Sequence, residues 1–341
     1  MKATALVTGA TGFIGSHLAR RLLAEGYHLT VLIRPGATLE PALREQCHIV
    51  YGDLNDSRAL AFAVRDCEFV FHCAANVNTW DSATNYYRTN VLGVQNLLDA
   101  LVHNNLILKR FVHISTVDVY GYPQHPADET TEPRKVGFGY GDSKLEGEQR
   151  VWQTANAHNL PFTIIRPANV IGPGSQFIRE IGNALDRGDM LTINRGQAHA
   201  GLIDVDNLID LLLWAARSDK AINEIYNARD DTELNWYDTL QLLQQMLQTD
   251  KKIRNLPFPV AMAIARIAES LYALTGQTQE PPLHRLLVCM FGKTCGHSAL
   301  KIRQASNITS RIPIEESIQR SAQWFLSDID RASVPTAQQS E

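Results

Sequence analysis

A tyrosine and a lysine stand four residues apart in the segment Tyr140-Gly-Asp-Ser-Lys144. On a helix, residues at positions i and i+4 share one face, so the lysine ammonium can lie beside the tyrosine phenol. A nearby positive charge favours the phenolate and lowers a tyrosine pKa from its usual value of about 10. A tyrosine adjusted in this way can exchange a proton with an alcohol near neutral pH, so the pair is a candidate acid/base.

Three glycines near the N-terminus follow a strand predicted at Ala3–Thr8 and lead into a helix predicted at Phe13–Glu25. Glycine allows the chain to turn tightly and to approach a phosphate without a Cβ in the way. The N–H groups at a helix N-terminus suit a pyrophosphate. The spacing G-x-x-G-x-x-G also occurs in turns without a function, but its place between the first strand and the first helix predicts a dinucleotide site. The predicted contacts in this loop are Gly9, Thr11, Gly12, Phe13, Ile14 and Gly15.

The residue after the second predicted strand, Leu29–Ile33, distinguishes the two nicotinamide cofactors. An acidic residue there binds the ribose 2′-hydroxyl of NAD, whereas an arginine suits the 2′-phosphate of NADP. This chain has Arg34, and a guanidinium can bind a phosphate through two parallel hydrogen bonds. NADP(H) is therefore favoured; the alternative is a solvated Arg34 stacked on the adenine, with NAD(H) also accepted. Asp53, after the third strand, can accept from the adenine amine or cap the next helix.

The composition is that of a globular protein with a sizeable core, since 45% of the 341 residues are hydrophobic and 20% are charged. A formal net charge of −4 provides no global positive field for nucleic acid or anionic lipid. The first apolar stretch is too short for a signal peptide, and no apolar run approaches the roughly 18 residues of a membrane span. The five cysteines lack the paired spacing of a zinc or redox site, so we predict reduced thiols, no metal site and a cytoplasmic protein.

Strands and helices alternate over the first two thirds of the chain, as in β-α-β units. We therefore predict an α/β fold over residues 1–174, with a doubly wound parallel sheet and helices on both faces. A smaller, mostly helical substrate lobe is predicted over residues 175–329, with the chain returning to the sheet between residues 200 and 228. Residues 330–341 are polar and are predicted to form a flexible tail. A core or lid helix is favoured for the apolar segment 259–274, and peripheral membrane contact through residues 257–292 stays open.

Several motifs together resemble the extended short-chain dehydrogenase/reductase family, over essentially the whole chain. They are the glycine loop, Gly52-Asp53-Leu54, His72-Cys-Ala-Ala75, Ser115-Thr116 ahead of Val119-Tyr120-Gly121, Tyr140–Lys144, and Arg166-Pro167 leading to Gly172-Pro-Gly174. The resemblance implies a Rossmann domain and often a homodimer formed by two long helices, here residues 83–104 and 140–158. Further predicted cofactor contacts in and beside these motifs are Leu54, Ala74, Ala75, Lys144, Pro167, Asn169 and Val170.

The resemblance also implies roles for three side chains. Tyr140 would be the catalytic acid/base, and Lys144 would lower its pKa and bind the nicotinamide ribose. Thr116 matches the family's catalytic Ser/Thr, with Ser115 as a less favoured alternative. Elementary chemistry agrees, because hydride transfer to a carbonyl carbon leaves negative charge on the carbonyl oxygen. Two hydroxyls that donate to this oxygen stabilise the charge, and one of them can supply the proton.

Two positions separate the branches of the family. Sugar-nucleotide dehydratases carry an Asp-Glu pair after the Thr, because the elimination of water needs an acid and a base. Here the pair is Val117 and Asp118, so dehydration is disfavoured, and Asp118 is left as a lone acid or base, a solvated group or a helix cap. Nucleotide-sugar enzymes usually place a diphosphate-binding Arg where this chain has Ala200, unless Arg195 or His199 substitutes for it. The nearest branch is that of 3β-hydroxysteroid dehydrogenases and dihydroflavonol reductases.

We therefore expect an NADP(H)-dependent oxidoreductase that interconverts a ketone or aldehyde and an alcohol on a small hydrophobic or medium-sized substrate. The alternative is a nucleotide-sugar epimerase with tightly bound NAD, and the intact catalytic set disfavours a sensor without chemistry. The pocket is expected between the carboxyl edge of the sheet and the second lobe. Its predicted substrate contacts are Asn76, Trp80, Asn169 and Phe177, although most apolar residues of these walls are expected to be ordinary core.

Overall fold

A parallel β-sheet is the centre of the computed structural model, which describes residues 2–123, 125–275, 277, 279–293 and 296–333. Within these residues the strands are β1 (Thr4–Thr8), β2 (His28–Ile33), β3 (His48–Tyr51), β4 (Phe69–His72), β5 (Arg110–Ile114), β6 (Phe162–Pro167), β7 (Asn169–Ile171), β8 (Leu191–Ile193), β9 (Leu202–Asp204), β10 (Glu224–Ala228) and β11 (Arg254–Leu256). Seven of them form the main sheet in the order β10-β6-β5-β4-β1-β2-β3. The other four form two short parallel pairs, β7 with β9 and β8 with β11.

Helices follow most of the strands and cover both faces of the sheet. In the described part of the chain they are α1 (Phe13–Ala24), α2 (Pro41–Arg44), α3 (Ser57–Val64), α4 (Ala83–Tyr87), α5 (Gly93–Asn104), α6 (Tyr140–His158), α7 (Gln176–Arg187), α8 (Val205–Arg217), α9 (Trp236–Leu247), α10 (Phe258–Thr275), α11 (Arg285–Lys293), α12 (Leu300–Ser306) and α13 (Ile314–Ser333). The predicted α/β fold with a doubly wound parallel sheet is confirmed. The order of β1 to β6 is that of a Rossmann sheet, and β10 extends it at the β6 edge.

Two hydrophobic clusters bury the two faces of the sheet. On one face α1 and α8 pack against alternate residues of the strands, such as Val7 and Val31. On the other face α3, α5 and α6 pack against Leu6 and Val70. Strands buried on both faces need apolar side chains at every position, which explains their continuous apolar runs. This packing fixes the carboxyl edge of the sheet, where the loops after β1, β4, β5 and β6 emerge.

The long helix predicted at residues 83–104 is interrupted by a π-helical turn, Arg88–Leu92, which joins α4 to α5. Within this turn the side-chain oxygen of Asn90 accepts from the Asn76 N–H at 2.7 Å. The amide nitrogen of Asn90 donates to Ser143 Oγ at 2.9 Å. Asn90 therefore ties the loop after β4 to the first turns of α6.

The C-terminal lobe has a core of its own formed by α7, α9 and α13, in which Trp236 of α9 is fully buried. The sequence predicts a tail from residue 330, but α13 continues to Ser333, so residues 330–333 are helical. The rest of the predicted tail, 334–341, and Cys295 lie outside the described residues. By length and composition alone α10 could cross a membrane, which corrects the expectation that no apolar run approaches the length of a span.

A buried ion pair connects the sheet to α6. Arg166 of β6 donates to both carboxylate oxygens of Glu148, at 2.9 and 2.6 Å, and each of the two side chains is 3% exposed. Arg166 also donates to Tyr120 Oη at 2.8 Å, and Tyr120 donates to Asn227 Oδ1 of β10 at 2.9 Å. Because the pair is shielded from water, each charge depends on its partner for solvation.

Removing the negative charge of this pair should destabilise the fold strongly. In a Glu148→Gln variant the Arg166 charge stays buried without its carboxylate, so we expect a loss of roughly 3 kcal/mol in the free energy of unfolding. The matched control is Glu146→Gln in the same helix, whose partner Lys135 is 49% exposed. Loss of that exposed pair should cost less than about 1 kcal/mol. Urea unfolding measures both changes, and equal losses would contradict the role given to the buried pair.

Candidate active site

Helix α6 begins against the turn that follows β5, and this contact brings two predicted catalytic residues together. A Cβ on Gly141 would lie 2.9 Å from the Asp118 carbonyl oxygen, so the helix can approach this closely only through a glycine. Thr116 caps the 3₁₀ turn Val117–Tyr120 by accepting from the Asp118 N–H at 3.2 Å. The Thr116 side chain also lies close enough to the phenol of Tyr140, the first residue of α6, to lower the pKa of that phenol. The two hydroxyls predicted to share a substrate oxygen therefore lie side by side.

Lys144 lies one helical turn after Tyr140 and is 1% exposed. Its Nζ donates to the carbonyl oxygen of Ile114, the last residue of β5, at 2.7 Å. Burial lowers the pKa of Lys144 to about 8, although the negative charge of Glu148 opposes the shift. The sheet therefore holds this lysine in place, and its ammonium gives up its proton far more easily than that of an exposed lysine.

The pKa of Tyr140 is shifted in the direction opposite to the one predicted from the sequence. Burial raises this pKa above the ordinary value of 10.0, the Asp118 carboxylate raises it further, and the nearby Thr116 side chain lowers it. The Lys144 ammonium donates its hydrogen bond to the Ile114 carbonyl. In the protein alone the phenol therefore keeps its proton, which is the state needed to donate to a carbonyl oxygen.

Asp118 lies beside both hydroxyls, although the sequence left its role open. Thr116 caps the turn, so Asp118 is not the helix cap, and its Oδ2 accepts from Thr116 Oγ1 at 3.1 Å. Burial raises the pKa of Asp118, and the Thr116 hydrogen bond opposes this shift. Because a hydroxyl carries one proton, Thr116 donates either to Asp118 or to another oxygen that takes its place. Ser115 Oγ, the alternative to Thr116, is buried without a hydrogen-bond partner among the described residues.

The glycine loop after β1 has the shape of a phosphate-binding loop. Gly9 has a φ of 76°, and a Cβ there would lie 2.7 Å from the Ala74 nitrogen. A Cβ on Gly15 would lie 2.2 Å from the Gly9 carbonyl oxygen, so α1 can pack on the loop only through a glycine. Gly12 is the N-cap residue of α1 and provides no side-chain hydrogen bond, and the first turn of α1 has no acidic residue. The uncapped N–H groups of this exposed helix end fit a pyrophosphate.

Other predicted cofactor residues surround this loop. The Ala74 N–H, next to Ala75 in the segment after β4, donates to Thr8 Oγ1 at 3.3 Å. Phe13 lies against the loop Gly172-Pro173-Gly174, and His17 Nε2 is 2.9 Å from the Pro173 carbonyl oxygen. The segments after β1, β4 and β7 are therefore in contact. In the same region Ile14 belongs to α1, Pro167 ends β6, and β7 begins with Asn169 and Val170.

The remaining predicted cofactor residues follow β2 and β3. Arg34 comes directly after β2 and is exposed to solvent. Asp53 Oδ1 accepts from the Asn55 N–H at 2.7 Å. The cap of α3 is Asp56, so the alternative in which Asp53 caps the next helix is wrong. Leu54 is 7% exposed and packs into the core that α3 and α5 share.

A cavity of about 30 Å³ lies between the turn after β5 and the C-terminal part of the described chain. Its lining includes Thr116, Asp118, Asn169, His199, Ala200 and His297. A volume of this size holds about one water molecule. Without movement of the surrounding segments, therefore, only the oxygen end of a substrate fits beside Thr116.

Of the four predicted substrate residues, Asn169 lines this cavity, and its Nδ2 donates to the Ala200 carbonyl oxygen at 2.6 Å. Asn76 instead holds the loop after β4, because its Nδ2 donates to Asp81 Oδ2 at 2.7 Å. Trp80 packs against the segment before α11, and Phe177 packs in the core of the C-terminal lobe. The packing of Phe177 therefore agrees with the expectation that most apolar residues of the pocket walls belong to the ordinary core.

Two residues that line the cavity, Met290 and His297, were not among the predicted site residues. His297 is 8% exposed and stacks on Tyr120, with 5.8 Å between the ring centroids. Burial lowers the pKa of His297 to about 4, so this imidazole is neutral at physiological pH. It reaches the site through a β-bridge to Ala127, a long-range contact that no local sequence signal marks.

The position expected for a diphosphate-binding Arg is apolar and closed. Ala200 is 0% exposed, and Arg195 is an exposed residue in a left-handed turn with φ 60°. His199, the other substitute considered, does line the cavity, and its Nδ1 accepts from the Gly201 N–H at 2.8 Å. Burial, and next the charge of Arg229, lowers the pKa of His199. Arg229 Nη1 is 2.7 Å from His199 Nε2, which places the nearest guanidinium behind this imidazole.

The Rossmann sheet, the glycine loop at the start of α1 and the Tyr140–Lys144 pair define an NAD(P)-binding enzyme of the epimerase and oxidoreductase class. The chain belongs to the NAD dependent epimerase/dehydratase family, whose family model matches residues 5–228. The resemblance to extended short-chain dehydrogenases/reductases is thereby confirmed.

Curated relatives cover almost the whole chain at low identity. One is the 4-hydroxy-2-methyl-3-oxo-4-farnesyl-3,4-dihydroquinoline-1-oxide ketoreductase of Stigmatella aurantiaca, 26% identical over 92% of this chain and 93% of the relative. Another is the 2-alkyl-3-oxoalkanoate reductase of Stenotrophomonas maltophilia, 27% identical over 92% of this chain and 97% of the relative. A third is the N-acetyl-alpha-D-glucosaminyl-diphospho-ditrans,octacis-undecaprenol 4-epimerase of Escherichia coli O157:H7, 25% identical over 95% and 96%.

Among solved structures, the UDP-glucose 4-epimerase of Thermotoga maritima has the same fold. Its TM-score is 0.76 at 20% identity, with 96% of this chain and 99% of that chain covered.

The burial of Lys144 leads to a prediction about how the stability of the protein depends on pH. Its pKa falls from 10.5 to about 8 on folding, so between these values the unfolded chain binds the extra proton. The free energy of unfolding therefore rises with pH across this window. A Lys144→Met variant lacks the titrating group. Over this pH window the free energy of unfolding of the native protein should therefore rise by roughly 3 kcal/mol more than that of the variant.

Urea unfolding of both proteins from about pH 7 to about pH 10 measures this difference. The control is Lys252→Met, which removes an exposed lysine and should show no such gain. A stability difference between the native protein and Lys144→Met that does not change with pH would contradict the buried environment of Lys144.

Proposed function

We propose that the protein is an NADP(H)-dependent oxidoreductase that interconverts a ketone or aldehyde and an alcohol on a small hydrophobic or medium-sized substrate. The observation that carries this proposal is the Thr116 hydroxyl at the cavity, with the Tyr140 phenol close to it and Lys144 one turn further along α6. A bound nicotinamide would supply or accept the hydride. The side chains of the chain itself would hold the reacting oxygen and move its proton.

Each of these side chains has a separate task. Tyr140 donates its proton to the carbonyl oxygen as negative charge develops there. Thr116 holds the same oxygen by exchanging its bond to Asp118 for a bond to the substrate. Lys144 stabilises the phenolate after the proton has left, and its pKa of about 8 suits it to pass on a replacement proton. The reverse sequence takes a proton from an alcohol, with Tyr140 as the base.

The cofactor would be held along the edge formed by the loops after β1, β2 and β4. The loop Gly9–Gly15 would bind the pyrophosphate through backbone N–H groups. Exposed Arg34 would bind the 2′-phosphate, which is the reason to favour NADP(H) over NAD(H). Asp53 would accept from the adenine amine, and Lys144 would contact the nicotinamide ribose.

The reductase branch is favoured by the buried Ala200, which leaves no guanidinium among the residues that line the cavity. A ketoreductase and an oxoalkanoate reductase among the relatives also support this branch. The second candidate is a nucleotide-sugar epimerase with tightly bound NAD, supported by an epimerase among the relatives. Arg229 favours that alternative, since its guanidinium lies directly behind His199 and could reach a diphosphate.

Assembly into a homodimer through the helices at residues 83–104 and 140–158 belongs to the same proposal. Large hydrophobic side chains on these helices are partly exposed, namely Tyr87 at 47%, Leu92 at 41% and Trp152 at 37%. A second copy of the chain could cover them.

Replacing the phenol should abolish turnover and leave the cofactor site intact. In Tyr140→Phe the oxygen that exchanges the proton is absent, so we expect kcat to fall by a factor of about 10² or more. The dissociation constant for NADPH, measured by fluorescence, should change by less than about threefold, because the glycine loop is untouched. Tyr237→Phe, at a 49% exposed tyrosine, is the control and should keep full activity. Unchanged turnover in Tyr140→Phe would refute the acid/base role.

Replacing the guanidinium after β2 tests the cofactor preference. Arg34→Ala removes the partner of the 2′-phosphate, so the KM for NADPH should rise about tenfold or more while the KM for NADH changes little. The control is Arg65→Ala, at another exposed arginine, which should alter neither value. Equal changes for the two cofactors would show that Arg34 does not select NADP.

One screen separates the two candidate functions. The purified protein is analysed for retained nucleotide and then assayed for absorbance change with NADPH and a panel of ketones, and with UDP-sugars as the opposing set. The oxidoreductase proposal predicts net oxidation of NADPH by ketones and no retained NAD. Retained NAD, together with interconversion of a UDP-sugar without net cofactor use, would establish the epimerase instead.

A further inference from the structure

The outward face of α10 is a stripe of large aliphatic side chains. Val260, Ile264, Ile267, Leu271 and Leu274 are 47%, 43%, 61%, 55% and 84% exposed. Alternating steps of four and three residues place all five on one face of the helix, over about 21 Å. We refer to these five residues as the α10 stripe.

The inward face of the same helix has the opposite character. Ala261 and Ala265 are fully buried and pack with Ile193 and Val288. The acidic residue of α10, Glu269, bonds to Arg285 Nε at 2.6 Å and is turned towards α11. A helix on the surface of a water-soluble domain normally buries its large aliphatic residues and exposes its polar ones. Here two alanines are fully buried and five large aliphatic side chains are exposed, so the α10 stripe needs a second apolar environment.

The charges around the stripe indicate which environment this is. Residues 250–269 contain the four cations Lys251, Lys252, Arg254 and Arg266 against the two carboxylates Asp250 and Glu269, whereas the whole chain has a net charge of −4. All four of these cations are exposed. Lys293 adds another cation at the start of α10, where its Nζ is 5.1 Å from the centre of the Phe258 ring. The apolar stripe therefore lies next to a local excess of positive charge.

We propose that the α10 stripe docks on the surface of an anionic lipid bilayer, with the helix in the plane of the interface and the nearby cations at the headgroups. Apolar side chains on one face and basic residues beside them are the features that bind such surfaces. A second copy of this chain on the stripe would bring two segments of the same positive charge together, which disfavours that occupant.

Docking in this way also orients the candidate site. α10 packs on α11, and α11 carries Met290, which lines the cavity beside Thr116. The cavity would then lie one helix layer from the lipid, close to any substrate dissolved in the bilayer. The docking surface itself does not depend on the proposed oxidoreductase activity.

Flotation of the full-length protein with vesicles tests the proposal. Vesicles of phosphatidylcholine alone are compared with vesicles in which about one third of the lipid is phosphatidylglycerol, and the second kind should bind about tenfold more strongly. The double variant Ile267→Ser/Leu271→Ser should lower binding to the anionic vesicles by about tenfold or more, because two side chains no longer enter the apolar layer. Lys252→Glu/Arg254→Glu should remove the preference for phosphatidylglycerol.

The matched control is Leu106→Ser/Ile107→Ser, at residues that are 97% and 49% exposed after α5. It removes similar apolar surface elsewhere and should change vesicle binding by less than about twofold. NADPH binding without vesicles should be the same in all variants, which separates this test from that of the proposed function.

Three outcomes would overturn the proposal: no binding of the native protein to anionic vesicles, binding that survives the α10 substitutions, or a dimer in light scattering that only those substitutions dissociate. The last result would assign the stripe to a second copy of the chain.

Discussion

The close approach of α6 to the end of β5 is the constraint on which the rest of the site depends. Gly141 lets the first turn of the helix touch the Asp118 backbone, and Lys144 bonds to the Ile114 carbonyl one turn later. These two contacts hold the first turn of α6 in place, and this turn puts the Tyr140 phenol close to the Thr116 hydroxyl. The ion pair of Glu148 with Arg166 continues the same attachment one further turn along α6. The candidate catalytic groups are therefore positioned by rigid elements on both sides.

Local sequence signals were sufficient to predict the bounds of an element whose ends are clearly marked in the sequence. The bounds of α6 are those predicted, residues 140–158, because helical spacing marks this segment. The π turn at Arg88–Leu92 could not be predicted, since one extra residue in a turn leaves the apolar pattern almost unchanged. His297 was missed for another reason, because only tertiary packing carries it to the cavity.

The electrostatics of the site could be predicted less well than its residues. The spacing of Tyr140 and Lys144 places them on one face, but it does not say where the ammonium points. In the structure the Lys144 ammonium donates to the Ile114 carbonyl oxygen. Burial, together with the Asp118 carboxylate, raises the pKa of Tyr140. For α10, likewise, composition indicates an apolar helix, while only the fold reveals that the large side chains face outward. How deeply a side chain is buried and where it points depend on the packing of the whole chain. These two properties set the pKa values and decide which residues are exposed, and the spacing of residues in the sequence does not reveal them.

The central claim is that Tyr140 and Thr116 hold one oxygen beside the nicotinamide. A crystal structure of the protein with bound NADP⁺ and propan-2-ol tests it most directly. The account predicts one alcohol or water oxygen within about 3.2 Å of both Tyr140 Oη and Thr116 Oγ1, next to the nicotinamide ring, with the pyrophosphate on the glycine loop. A nicotinamide ring bound elsewhere, or two hydroxyls that face different oxygens, would contradict the account.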